Sequence, residues 1–285
     1  MDLSNKVVGI SGIGLMGGSL AAAIKKYLPQ TTVKGFDPDQ VASINAKKRS
    51  LVDETESTFD VLANSVDILF LAGPASSVLE QIKNLHSYAR DLIVSDLCSV
   101  KRPVMKAAET LGGNMVFIGG HPMAGSQYTG NEHADPDIFQ NAAYILCPPV
   151  TGSIPKVLTT IIKSIGARPV IIPPYEHDKA VSQVSHVPQL LAVALLNDLL
   201  IHNEADSATY SLAAGGFKDV TRIGESSFSL WKEILEKNKD NVIADLSKLI
   251  ARLNNYKESL QKGELENVGK EFTNARKARD RFKLK

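Results

Sequence analysis

His121 is the residue of this sequence best suited to acid–base chemistry. It lies in the segment GHPMAGS (residues 120–126), directly after an apolar, strand-like run at residues 115–119. A neutral imidazole can take the proton of a hydroxyl group near neutral pH. We therefore interpret His121 as a general base held in a tight, glycine-flanked loop. A histidine that only satisfies loop carbonyls is the alternative.

Two other short segments carry side chains suited to binding a substrate. Ser99 lies in DLCSVK (residues 96–101), and Arg222 ends DVTR (residues 219–222). A guanidinium can bind a carboxylate through two parallel hydrogen bonds, although an isolated arginine is more often a surface or ion-pair residue. The hydroxyl of Ser99 can also act as a helix N-cap before Val100.

A glycine-rich segment predicts a dinucleotide site near the N-terminus. It follows a strand-like run at residues 7–10 and precedes a helical stretch at residues 18–27. In such a site the glycines allow a tight turn, close approach of a pyrophosphate and close packing of helix on strand, and the helix N-terminus favours the anion. The predicted cofactor-binding residues are Gly12, Ile13, Gly14, Leu15, Met16 and Gly17.

Asp37 follows the next predicted strand, about 20 residues beyond the glycines, where a carboxylate can bind the adenosine ribose. This carboxylate would repel a 2′-phosphate, which favours NAD over NADP. With Pro38 next to it, Asp37 can instead begin a turn. Gly73 and Pro74 are predicted to form the next loop over the cofactor, or a plain structural turn.

Short apolar strands alternate with helical stretches over the first part of the chain, which predicts an α/β fold with a Rossmann-type, doubly wound, mostly parallel sheet. Beyond Pro173 helical spacing replaces strands. We therefore predict an NAD-binding domain at residues 1–173 and an all-helical substrate and dimerisation domain at residues 174–285. The predicted strands are residues 7–10, 33–36, 68–72, 92–95, 115–118, 143–147 and 169–172.

Composition limits the classes of function and location. The 285 residues carry a net charge of +1, which argues against a broad nucleic-acid surface. Cys98 and Cys147 lack the spacing of a metal or disulfide framework, and no leader pattern is visible, so we expect a cytoplasmic protein without a metal. No membrane span is expected, and the apolar run at residues 190–200 is predicted to be a buried helix. The apolar helices exceed what so small a domain can bury, which favours a homodimer.

The sequence resembles the prephenate dehydrogenase family, which includes arogenate and cyclohexadienyl dehydrogenases. The resemblance implies NAD-dependent oxidative decarboxylation of prephenate to 4-hydroxyphenylpyruvate in tyrosine biosynthesis, or of arogenate to tyrosine. Another Rossmann dehydrogenase and a non-catalytic nicotinamide-binding protein are the alternatives. The matching segments, in family order, are GIGLMGGSLA (12–21), DLCSVK (96–101), GGHPMAGS (119–126), SHVP (185–188) and DVTRI (219–223).

The resemblance also implies individual roles. His121 matches the catalytic histidine, Ser99 the serine that orients substrate and histidine, and Arg222 the arginine that binds a substrate carboxylate. The remaining residues expected to bind substrate are His186, Gln189, Gln127 and Ser126. His186 can equally be a satisfied core histidine.

Two of these positions depart from the family. Gln189 stands where many relatives have a histidine, and Gln127 where glutamate is frequent, which leaves the choice between prephenate and arogenate open. We interpret the pair His177-Asp178 as structural.

Overall fold

The computed structural model describes residues 6–88, 90–126, 128–150, 152–202 and 208–283. Within them, eight strands form one sheet in the order β3-β2-β1-β4-β5-β6-β7-β8. Every neighbouring pair is parallel except β6 and β7, which are antiparallel. The strands are β1 (Val7–Ser11), β2 (Thr32–Phe36), β3 (Glu54–Thr55), β4 (Ile68–Leu71), β5 (Leu92–Asp96), β6 (Met115–Pro122), β7 (Ala143–Cys147) and β8 (Arg168–Ile171).

Helices cover the sheet and account for most of the other regular structure in the described residues. Those of the first part are α1 (Leu15–Tyr27), α2 (Gln40–Lys48), α3 (Phe59–Asn64), α4 (Ala75–Leu85), α5 (Arg102–Ala108) and α6 (Lys156–Ser164). Those that follow are α7 (Pro174–Val181), α8 (Val187–His202), α9 (Ala208–Ser211), α10 (Gly215–Thr221), α11 (Phe228–Lys237), α12 (Lys239–Lys262) and α13 (Leu265–Lys283). Short 3-10 turns occupy Asn131–His133 and Arg222–Glu225, and a π-turn occupies Ser182–His186.

The sheet carries an apolar core on each face because successive strand side chains point to opposite sides. In β4, Ile68 and Phe70 belong to the core that includes α1 and α6. Leu69 and Leu71 of the same strand belong to the core that includes α3 and α4. Burial on both faces explains why these strands read as continuous apolar runs in the sequence.

The predicted α/β fold class is confirmed, and each predicted strand is present within one residue at either end, except for the strand predicted at residues 115–118, which extends four residues further as β6. The two-residue edge strand β3 was not predicted, since so short an element leaves no pattern. The largest difference is at β6, which continues through Pro122, so His121 lies in the strand and not in a loop.

The parallel strands bring the predicted site residues to one edge of the sheet. Ser11 is level with Phe36 and with Leu71, and Leu71 is level with Asp96. Since β6 runs parallel to β5, His121 lies beyond the same carboxyl edge. In open α/β sheets this edge is where ligands bind.

The apolar helix α8 is only partly buried, which corrects the prediction of a buried helix. Ala192 is buried, whereas Leu200 and Ile201 are 66% and 76% exposed. The stretch Pro174–His202 is long and apolar enough to cross a membrane by length and composition, with 22% of its most apolar window buried.

The chain forms two compact units, Met1–Lys239 and Asp240–Lys285. The first contains the whole sheet, helices α1 to α11 and every predicted site residue that the structure describes. The second contains nearly all of α12 together with α13, which an ion pair between Arg252 and Glu271 joins. The domain boundary near Pro173 stays a prediction.

Candidate active site

The glycine-rich turn after β1 has the geometry that its sequence predicts. Gly12 has a φ of +91°, which favours glycine, and a Cβ at Gly17 would lie 1.9 Å from the Gly12 carbonyl oxygen. A Cβ at Gly14 would meet no atom within 4 Å, so there is open space beside the turn. Helix α1 begins at Leu15 without a capping side chain, and its first amides therefore remain for an anion.

Asp37 both shapes a turn and holds the glycine segment. Its Oδ2 accepts a hydrogen bond from the Ile13 amide at 2.7 Å, and its Oδ1 accepts one from the Asp39 amide at 2.9 Å. A carboxylate has about four lone-pair positions, so capacity remains for ribose hydroxyls. The two roles weighed from the sequence are therefore compatible.

Asn131 is a positioning residue that sequence reasoning missed. Its Nδ2 donates to the Ile13 carbonyl at 2.9 Å and to the Ala42 carbonyl at 2.8 Å, and its side chain is buried. It thereby ties the segment after His121 to the cofactor turn. The partners are backbone carbonyls 118 and 89 residues away, so no local pattern could reveal them.

His121 is buried at the end of β6, opposite Ile145 of the antiparallel strand β7. Its Nδ1 lies 2.8 Å from Nε2 of His177. Burial lowers the pKa of His121 well below its usual value, and the nearby His177 and Lys101 act in the same direction. His121 is therefore a neutral imidazole at neutral pH.

His177 continues this arrangement to a carboxylate, although we interpreted it from sequence as structural. Its Nδ1 lies 2.8 Å from Oδ1 of Asp178, and both side chains are fully buried. Burial lowers the pKa of His177, while the hydrogen bond to Asp178 opposes that effect. Burial would raise the pKa of Asp178, but hydrogen bonds from His177 and two backbone amides outweigh it and leave that pKa lowered.

Asp178 also holds the beginning of α5. The backbone amides of Lys101 and Arg102 donate to its two oxygens at 2.7 and 3.0 Å. Lys101 is the N-cap residue and supplies no capping side chain, so the predicted capping role of Ser99 is wrong. The hydroxyl of Ser99 is partly exposed and makes no hydrogen bond within the part of the chain that the structure describes, which leaves it available to a ligand.

A fully buried ion pair between Asp96 and Lys101 supports the same region. Oδ1 of Asp96 accepts from the Gly120 amide and Oδ2 from the Cys98 amide, both at 3.0 Å. Asp96 thus joins the end of β6 to the turn that carries Ser99. The DLCSVK and GGHPMAGS segments, separate in sequence, meet at this carboxylate.

His186 is a satisfied buried residue in the π-turn before α8. Its Nδ1 lies 3.2 Å from Nδ2 of Asn238, and its ring meets that of Trp231 edge-on with centroids 5.8 Å apart. Burial lowers the pKa of His186 to about 4. Asn238 also donates to the Asp178 carbonyl at 2.7 Å, so His186 belongs to the network around Asp178. Its predicted contact with substrate stays a prediction.

Gln189 and Arg222 lie at one turn. Nε2 of buried Gln189 donates to the Ile223 carbonyl at 2.9 Å, which fixes the turn Arg222–Glu225 on α8. Arg222 is exposed and makes no hydrogen bond or ion pair with any described residue. Exposed Ser126 accepts from the Tyr128 amide at 3.0 Å, and Gln127 lies outside the described residues.

Two family models match this chain and together span most of it. The nucleotide-binding domain of prephenate dehydrogenase matches residues 20–180, and its dimerization domain matches residues 173–274. The chain belongs to the prephenate dehydrogenase family. The resemblance seen in the motifs is thereby confirmed.

Individual relatives agree with the family. Prephenate dehydrogenase of Bacillus subtilis is 31% identical over 290 residues, covering 100% of this chain and 78% of the relative. A crystal structure of Aquifex aeolicus prephenate dehydrogenase with hydroxyphenyl propionate and NAD+ has a TM-score of 0.88 at 27% identity, covering 98% and 99% of the two chains. Synechocystis arogenate dehydrogenase has a TM-score of 0.78 at 26% identity, covering 97% and 99%.

Proposed function

We propose that this chain catalyses the NAD-dependent oxidative decarboxylation of prephenate to 4-hydroxyphenylpyruvate, a step of tyrosine biosynthesis. The observation that carries the proposal is the position of His121. Its buried imidazole lies beyond the same sheet edge as the glycine turn, and burial keeps its pKa low. A neutral imidazole at that edge can accept the proton of a hydroxyl group on a substrate beside the cofactor.

NAD fits the residues around the glycine turn. The open space beside Gly14 accommodates a pyrophosphate, and the uncapped amides at the start of α1 favour its charge. Asp37 can bind the ribose and repels a 2′-phosphate, so NAD is favoured over NADP. When bound, NAD accepts the hydride from the ring carbon that bears the substrate hydroxyl.

His121 serves as the base for the oxidation and returns the proton at the end. It takes the hydroxyl proton as the ring carbon is oxidised. The bond to the ring carboxylate then breaks, carbon dioxide leaves, and the electron pair of that bond makes the ring aromatic. The ring oxygen takes the proton back from His121 and becomes a phenol, so the proton count balances.

Ser99 and Arg222 supply the substrate contacts in this proposal. The hydroxyl of Ser99, which makes no hydrogen bond with any described residue, orients the substrate hydroxyl toward His121. The guanidinium of Arg222, which has no ion-pair partner among the described residues, binds a substrate carboxylate, and Gln189 fixes the turn that carries it. Arogenate, which carries an ammonium group where prephenate has a keto group, is the alternative substrate. A neutral amide at Gln189 does not favour either one by charge.

The test is a comparison of four reactions, prephenate or arogenate with NAD or NADP, followed by absorbance of the reduced cofactor and by carbon dioxide release. We expect turnover with prephenate and NAD. Turnover with arogenate but not with prephenate would show that arogenate is the substrate. Cofactor binding without turnover of either compound would contradict the proposed activity.

We infer that the active form is a homodimer. The matched dimerization domain includes α8, whose Leu200 and Ile201 are exposed in the single chain. Covering such exposed apolar side chains with a second copy of the chain removes them from water and stabilises a dimer. We also infer a cytoplasmic location, without a nucleic-acid or membrane partner. Light scattering that finds a monomer at micromolar concentration would contradict the dimer.

A further inference from the structure

The carboxylate of Asp178 determines where hydrogen atoms lie along a line of three side chains. It accepts from the amides of Lys101 and Arg102 and from Nε of Arg102, the last at 3.2 Å. With these donors on it, the carboxylate is ionised and can only accept hydrogen bonds. The nitrogen of His177 that faces it, Nδ1 at 2.8 Å, must therefore carry a hydrogen.

The same logic extends to His121. A neutral imidazole with a hydrogen on Nδ1 has a lone pair on Nε2. Nε2 of His177 therefore accepts from Nδ1 of His121, at 2.8 Å. Nδ1 of His121 then carries the hydrogen, and its Nε2 is left with a free lone pair.

We propose that His177, fixed by Asp178, is a positioning residue that holds the proton of His121 on Nδ1 and leaves Nε2 as the proton acceptor. This proposal rests on the function proposed above, because it assigns the nitrogen that does the work in that reaction. Without His177, the tautomer of His121 with its hydrogen on Nε2 would compete, and that form cannot take a proton from the substrate.

The arrangement also stabilises the charge that His121 acquires. When Nε2 has taken a proton, the positive imidazolium donates through Nδ1 to His177, whose other nitrogen is bonded to the negative Asp178. The nearby positive charge of Lys101 is paired with Asp96, and that of Arg102 with Asp178. The carboxylate of Asp178 therefore remains the acceptor at the end of the line. In serine proteases a carboxylate bonded directly to the catalytic histidine fixes its tautomer; here His177 stands between the carboxylate of Asp178 and His121.

The experiment compares His177→Phe with His177→Gln. Phenylalanine fills the space but cannot accept a hydrogen bond, whereas the glutamine carbonyl can accept from Nδ1 of His121. We expect kcat with prephenate and NAD to fall about 10-fold to 100-fold in His177→Phe, as it does when the hydrogen-bond partner of a metal-ligating histidine is removed. We expect the NAD dissociation constant to change less than about twofold, and His177→Gln to recover part of kcat. The matched control is His86→Phe, at an exposed histidine after α4, with wild-type kcat expected.

A second readout does not depend on turnover. Nitrogen-15 NMR of histidine-labelled wild-type protein, with the His121 signals assigned by their loss in His121→Asn, should show a hydrogen on Nδ1 and none on Nε2. Wild-type kcat in His177→Phe, or a hydrogen on Nε2 of His121 in the wild type, would overturn the proposal. If the protein is inactive on both prephenate and arogenate but shows the expected NMR signature, the proposed reaction is wrong and the tautomer assigned to His121 still stands.

Discussion

The carboxylate of Glu233 accepts two hydrogen bonds from Ser76, one from the backbone amide at 2.9 Å and one from the hydroxyl at 2.6 Å. Ser76 is the second residue of α4, which begins directly after Gly73 and Pro74, and Glu233 lies on α11 two residues after Trp231. Burial would raise the pKa of Glu233, but its bonds to Ser76 outweigh this and lower it. The carboxylate of Glu233 thus connects the start of α4, next to the loop predicted to cover the cofactor, to α11, whose Trp231 packs on His186.

Removing this carboxylate should weaken cofactor binding. We expect Glu233→Ala to raise the KM for NAD about fivefold, which corresponds to about 1 kcal/mol for a partly exposed contact. The value of kcat should change less, because no reacting group is touched. Glu236→Ala, at an exposed glutamate of the same helix, is the control, and equal KM values in the two variants would contradict this role.

Asp37 should determine the choice of cofactor. Asp37→Asn removes the charge that repels a 2′-phosphate and keeps one oxygen to accept from a backbone amide. We expect the ratio of kcat/KM with NADP to kcat/KM with NAD to rise about tenfold, or about 1.4 kcal/mol. Asp39→Asn, at the N-cap of α2, should leave the ratio unchanged. If the ratio of the two kcat/KM values is unchanged in Asp37→Asn, Asp37 does not contact the ribose.

The buried pair of Asp96 and Lys101 should matter far more for stability than an exposed pair. Lys101→Met leaves an unpaired buried carboxylate, and we expect the free energy of unfolding to fall by about 3–5 kcal/mol. Lys6→Met breaks the half-exposed pair with Asp67 and should cost less than about 1 kcal/mol. Urea titration measures both. Equal losses of unfolding free energy in Lys101→Met and Lys6→Met would show that water reaches the charge of Asp96.

Acid should destabilise the folded protein through its buried histidines. Burial lowers the pKa values of His121 and His177, and lowers that of His186 to about 4. Below pH 6.5 the unfolded chain binds protons at these residues and the folded chain does not, so stability falls as the pH drops toward 4. The lowered pKa of His186 alone corresponds to a loss of about 3 kcal/mol in the free energy of unfolding by pH 4.

His186→Asn should therefore make the decline of stability between pH 6.5 and pH 4 shallower, as measured by urea unfolding at several pH values. His86→Asn changes an exposed histidine and should leave the slope as in the wild type. Identical slopes in all three proteins would show that the buried state of His186 does not control the acid response.

Much of the molecule was predictable because its signals are local. The strands are buried on both faces and read as continuous apolar runs, and the glycine turn is recognisable from the spacing of Gly12 and Gly17. His121, Ser99 and Asp37 carry side chains whose chemistry suggests their roles. The parallel topology then places these residues at one edge of the sheet.

The rest depends on contacts between distant segments. His177 is 56 residues from His121, and Glu233 is 157 residues from Ser76, so no spacing rule connects either pair. The position of His121 was misjudged because the two glycines before it suggested a loop. Those glycines instead allow β6 to continue closely packed, since a Cβ at Gly120 would lie 2.3 Å from the carbonyl oxygen of Asp96.

The most direct test of the central claim is the rate of NADH formation from prephenate by His121→Asn, measured beside its NAD dissociation constant. If the imidazole is the base, kcat collapses by several orders of magnitude while the NAD dissociation constant stays near that of the wild type. Turnover at a rate close to that of the wild type would contradict the account.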